Sequence, residues 1–106
     1  MEDLQARSYW MITSHVMDRA GALTSVASAF SNRTINIDTV IAHGTDEQEG
    51  PNGRVMITFW ATEAEKEMML RITQRLSKIT RVECVAASYE RQHEAIRTAV
   101  GSIAAQ

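Results

Sequence analysis

Val16-Met17-Asp18-Arg19-Ala20-Gly21-Ala22-Leu23 marks the place where the periodicity of this chain changes. From Ser8 to Met17 the pattern has a period of two. Trp10, Ile12, Ser14 and Val16 fall on one face, and Tyr9, Met11, Thr13 and His15 on the other. Neither face is strongly charged, so both can be covered. From Ala22 to Arg33 the period becomes helical, with Leu23, Val26, Ala27 and Phe30 on one stripe. A strand therefore hands over to a helix across a short turn with an aspartate and a glycine. Capping explains both residues in the ordinary way: Asp at a helix start, Gly for a tight turn. The same turn also offers unpaired N–H groups at the positive end of the helix dipole, which is a natural seat for a small anion such as a carboxylate.

Ile35 to Thr45 reads as a second strand, with Ile35, Ile37, Thr39 and Ile41 predicted to share a face. Asp46 to Gly53 holds the only proline and three acids, and is predicted to be a solvated loop between strands. Arg54 to Ala61 alternates two largely apolar sets, Val55, Ile57, Phe59 and Met56, Thr58, Trp60. Thr62-Glu63-Ala64-Glu65 is a capping box. Met69, Ile72, Leu76 and Ile79 continue from it at helical spacing, with Glu67 and Arg71 as an i, i+4 pair on the exposed side. Arg81 to Ser88 is a last strand, and Tyr89 to Ala105 a helical tail.

The order β-α-β-β-α-β predicts an α+β ferredoxin-like sandwich: a four-stranded antiparallel sheet with two helices on one face. The expected segments are an N-terminal extension over 1–8, the domain over 9–88 and the tail over 89–106. The sheet face without helices carries apolar groups, which argues for a two-fold homodimer.

A chain of 106 residues with net charge −2 accommodates one core and gives no electrostatic footprint for nucleic acid. Its apolar runs are far short of a membrane span, and its acidic start lacks the features of a signal peptide, so a soluble cytoplasmic domain is expected. The single Cys84 lies mid-strand without a partner motif. His15, His43 and His93 lack metal-site spacing; His15 and His43 could meet across neighbouring strands, but satisfied or solvent-facing histidines are the better reading. With no phosphate loop and no nucleophile elbow, neither catalysis nor a cofactor is expected.

Three stretches together resemble the ACT domain, a small-molecule-sensing module, and most closely the regulatory (small) subunit of acetohydroxyacid synthase, also called acetolactate synthase. They are Asp18-Arg19-Ala20-Gly21-Ala22-Leu23 through Phe30-Ser31, then Asn36-Ile37-Asp38-Thr39-Val40, and Ile72 to Ile79 with Val82 and Val85. They resemble the family's Asn-x-x-Gly-x-Leu turn and helix end, its second strand, and its second helix with the last strand. The resemblance implies a dimer that binds valine or a related branched-chain amino acid between protomers. It also implies attachment to a large, thiamine-dependent catalytic subunit that does the chemistry. Under it, the N–H groups of Gly21, Ala22 and Leu23 hold the ligand carboxylate, and Asp18 accepts from its ammonium or braces the turn. Asn36 reaches in from the partner protomer, and Ile35 and Ile37 supply apolar contact. Asp18 stands where the family carries asparagine, and Thr34-Ile35 where it carries Gly-Tyr. The alternatives are a structural activator with a degenerate ligand site and a free-standing ACT sensor of another pathway.

Overall fold

The computed structural model describes residues 6–44, 52–88 and 97. Its elements are β1 (Ser8–Val16), α1 (Arg19–Ser31), β2 (Ile37–Gly44), β3 (Gly53–Ala61), α2 (Glu63–Gln74) and β4 (Ile79–Ala86). The strands form one antiparallel sheet in the order β2-β3-β1-β4, the ferredoxin-like arrangement expected from the sequence. The expected loop lies outside the described residues except at its end, where Asn52 precedes the sheet and Gly53 opens β3. In the expected helical tail, only Arg97 is described, and it is helical.

The core lies between the helices and one sheet face. Ile12 and Val16 of β1 and Val55, Ile57, Phe59 and Ala61 of β3 are buried against Ala22, Val26, Ala29 and Phe30 of α1 and Met69 of α2. Phe30 meets Phe59 edge to face, with ring centroids 4.8 Å apart. Trp10 on this face donates from Nε1 to the Ala61 carbonyl, and Lys66 Nζ lies 4.7 Å from its ring centre. The opposite sheet face carries Tyr9 stacked on Trp60, with Met11 and Thr13 of β1 beside Thr58 and Met56 of β3.

β2 opens at Ile37, so Ile35, expected within that strand, precedes it, and β3 opens one residue early at Gly53. Three further features differ from the sequence expectation. First, α1 begins at Arg19 rather than Ala22, because Asp18 is extended (φ −147°) and its side chain accepts from Gly21 N–H. Second, α2 ends at Gln74, well before Ile79. Lys78 turns into the left-handed region (φ 64°), and Ile79 opens β4, whose strand is correspondingly earlier than Arg81–Ser88. Third, the β2–β3 register shifts between Ile37 and Thr39. That bulge splits the expected face: Ile37 packs with the core, whereas Ile41 lies opposite Met56 on the helix-free side.

Candidate functional site

The first turn of α1 is built by Asp18. Its Oδ1 accepts from Gly21 N–H at 3.1 Å, and its backbone carbonyl accepts from Ala22 N–H at 2.8 Å, the first bond of the helix ladder. The Gly21 and Ala22 amides, expected to hold a ligand carboxylate, are thus engaged by Asp18 itself. Among residues ahead of the ladder, Arg19 and Ala20 are the next positions. Gly21 is small for a specific reason: a Cβ there would stand 2.7 Å from Asp18 Oδ2. Lys78 Nζ approaches the same Oδ2 at 3.9 Å, so the extra charge that Asp18 brings in place of asparagine has a cation beside it.

This turn opens into a cleft of about 410 Å³ lined by Asp18, Arg19, Ala20, Leu23 and, from β2, Ala42. The volume lies at the small end of ligand sites. Arg19 reaches it over a paired-glycine floor. Gly44 and Gly53 are opposite one another in the β2–β3 ladder. A Cβ on Gly53 would stand 2.8 Å from Arg19 Cγ, and one on Gly44 2.9 Å from its Nη1. The stem of Arg19 therefore lies across Gly53, with its guanidinium at Gly44.

Asn36 and Ile37 line a different cleft, of about 320 Å³, with Arg7, Thr34, Ile35, Asp38, Trp60 and Glu65. In one protomer the two clefts lie at opposite ends of β2, because Ile37 pairs beside Phe59 and Gly44 beside Gly53. The six residues singled out in the sequence therefore divide: Asp18, Gly21, Ala22 and Leu23 belong to the α1 end, Asn36 and Ile37 to the far end. Arg7 Nε and Glu65 Oε1 are 3.6 Å apart across the second cleft.

The strand leading from Asn36 is fixed by a hydroxyl cluster on the helix-free face. Tyr9 OH donates to Asp38 Oδ2 at 2.5 Å and contacts Thr58 Oγ1 at 2.9 Å, and Thr39 N–H donates to the same Thr58 oxygen at 3.1 Å. Thr39 and Thr58 are also hydroxyl to hydroxyl. Burial and the Asp38 carboxylate raise the Tyr9 phenol above its ordinary value.

The sequence missed Arg19, Ala20 and Ala42 of the first cleft and Arg7, Trp60 and Glu65 of the second. Arg19 and Ala20 stood inside the decisive stretch, but only the strand register brings Ala42 to it. His15 and His43 do not meet, because Arg54 of β3 pairs with each of them and stands between. His15 Nε2 instead meets Glu83 Oε1 at 3.2 Å, and that contact, with Arg81, holds the Glu83 carboxyl below its ordinary range. Cys84 is half-buried, and burial pushes its thiol up. Among the described residues, no group of three His, Cys, Asp or Glu side chains is arranged to hold a metal, and no helix is long and apolar enough to cross a membrane.

A βαββαβ sheet with helices on one face is the fold shared by ACT-type regulatory domains. Residues 12–83 match the AHAS small subunit-like ACT domain, and the chain belongs to that family. The solved ACT domain of GTP pyrophosphokinase from Chlorobium tepidum is similar at 12% identity, with a TM-score of 0.62, covering 77% of this chain and 90% of that one. An uncharacterised protein of Thermotoga maritima is similar at 16% identity and a TM-score of 0.61, over 77% of this chain and 99% of its own. The ACT domain of prephenate dehydrogenase from Bacillus anthracis is similar at 22% identity and a TM-score of 0.53, over 69% and 99%. At these identities the likeness is one of fold. No curated protein matches the chain.

Proposed function

We propose that this chain is a non-catalytic regulatory subunit of acetohydroxyacid synthase, that it binds a branched-chain amino acid such as valine for feedback control, and that it activates the large catalytic subunit. The observation that carries this reading is the family match over 12–83, which spans both the Asp18–Leu23 turn and Asn36. The two clefts at the ends of β2 support it. β2 is an edge strand of the sheet. Two copies joined edge to edge about a two-fold axis near Val40 and Ile41 would set the α1 cleft of one against Asn36 and Ile37 of the other. Each protomer would then supply the half-site its partner lacks. In that assembly Asp18 meets the ligand ammonium, Leu23 and Ala42 face its branched side chain, and Asn36 closes the site from across the axis.

Isothermal titration of the full chain with valine, leucine and isoleucine tests the sensor. Saturable binding of one of them, with graded preference of roughly tenfold per methylene, is the expected result. A silent titration, with the large subunit still activated by the chain, converts the reading to that of a structural activator. Copurification of a thiamine-dependent large subunit separates both from a free-standing sensor of another pathway.

A further inference from the structure

The α1 cleft pairs an anion and a cation from adjacent residues, and its floor is shaped around the cation. Asp18 and Arg19 both line it. The Asp18 carboxylate is fixed by Gly21 N–H and approached by Lys78. Arg19 is held from beneath. Gly53 is buried and accepts the aliphatic stem, and Gly44 accepts the guanidinium where any larger residue would intrude. Ala42 is two residues from Gly44 along β2, so the guanidinium stands at the β2 wall of the cleft and Asp18 at its helix wall. Leu23 and Ala42 supply an apolar surface with them.

Resting on the amino-acid-sensing reading above, we infer that Arg19 is the group that binds the effector's carboxylate, and that Asp18 and Arg19 together recognise the effector as a zwitterion. An aspartate accepts from an ammonium, and an arginine offers a planar fork that matches a carboxylate with two parallel N–H bonds. The fork carries five donors, so a carboxylate is taken in addition to other contacts of Arg19. The inference also accounts for two features of the site. The Gly21 and Ala22 amides are engaged by Asp18, so a carboxylate in the cleft is not held by those two. An aspartate in place of asparagine puts a negative charge in the cleft, and the adjacent arginine restores an attractive field for the ligand's anionic end. The ligand class is an α-amino acid with both charges free and a small branched apolar side chain.

The test is calorimetric titration of the full chain with L-valine, L-valinamide, which lacks the carboxylate, and N-acetyl-L-valine, which lacks the ammonium. The unaltered chain is expected to bind valine at least about tenfold more tightly than either analogue, the size of a charge-assisted hydrogen bond. Arg19→Gln should bring valine down to the valinamide level while leaving valinamide within about twofold. Asp18→Asn, which keeps the helix cap, should bring valine down to the level of N-acetylvaline. Gly44→Ala should displace the guanidinium and act as a weaker Arg19→Gln. If Arg19→Gln binds valine as tightly as the unaltered chain, or loses valine and valinamide equally, the inference is overturned while the sensor reading stands. If the unaltered chain binds none of the three, both fall.

Discussion

The two helices begin in different ways. α2 starts on a closed capping box: Thr62 Oγ1 accepts from Glu65 N–H, and Glu65 Oε1 accepts from Thr62 N–H at 2.9 Å. Glu63 and Glu65 put two carboxylates in its first turn, and Lys66 bridges Glu63 and Glu67, which raises its ammonium above the ordinary value, Glu63 contributing most. α1 has one cap, Asp18, no acid in its first turn, and an arginine at its first position. The positive end of α2 is thus met by two carboxylates of its first turn, and that of α1 by the single carboxylate of its cap, Asp18. Both helix starts border a cleft, α2 through Glu65 and α1 through Asp18, Arg19 and Ala20, but only that of α1 presents an arginine beside its cap.

The largest effect should come from the floor beneath α1. Gly53→Ala forces a Cβ into the His43 carbonyl oxygen and the Arg19 stem. We expect a loss of about 2–3 kcal/mol, seen as a fall in Tm of about 10 °C or more by thermal melting. Gly21→Asp comes next. Its side chain displaces the Asp18 cap and sets a second carboxylate beside it, so effector affinity should fall by more than about tenfold at a stability cost of about 1 kcal/mol. An unaltered valine affinity in that variant would place the site elsewhere. Thr62→Ala is the matching change in α2. It should cost about 1 kcal/mol in denaturant melts, as a lost cap does, and, because it releases Glu65 at the Asn36 cleft without adding a charge to the α1 cleft, weaken the effector by less than Gly21→Asp does. If Thr62→Ala weakens the effector as much as Gly21→Asp, the contrast between the two helix starts fails.

The exit of α1 gives a smaller effect of opposite sign. Ile35 N–H bonds Phe30 C=O and Thr34 N–H bonds Ser31 C=O, which closes the helix through Thr34 at φ 56°. A β-branched residue is strained there. Thr34→Gly should raise stability by up to about 1 kcal/mol, measured by urea midpoint. The smallest effect is one of pH. The folded Tyr9 phenol titrates above its ordinary value, so the stability tied to its protonated form is intact below about pH 10 and is lost as pH rises through the folded value. Tyr9→Phe should flatten that alkaline decline in melts at pH 8 and 10.5.

The strands and helices were legible because each has a clean period, as in Val55, Ile57 and Phe59 against Met56, Thr58 and Trp60. Their ends were not. Ile79 continues the helical spacing of Met69, Ile72 and Leu76, yet it also suits the first inward position of a strand, and the turn at Lys78 decides between them. The bulge at Asp38 is set by Tyr9 and Thr58, distant in sequence, so alternation alone placed Ile37 and Ile41 together. Thr34 was readable through the resemblance: the family's glycine there signals a left-handed residue, and this chain keeps the conformation without the glycine. For the site, Asp18 and Asn36 could be read, but their separation could not, since it depends on which ends of β2 face Gly53 and Phe59. The role of Arg19 is not legible in the sequence, because its placement depends on two glycines that meet only through strand pairing.

The strand order β2-β3-β1-β4 has a consequence for the order in which the chain can assemble. Only β2 and β3 are sequence neighbours within the sheet. β1, synthesised first, finds its partners in β3 and β4, with Trp10 facing Phe59 on one side and Ala86 on the other. Its first pairing must await β3 and its second β4, each at the loop-closure cost of long-range contacts. A nascent or truncated chain ending before β4 would hold β1 with one edge unpaired, so the domain becomes complete only when its last strand docks.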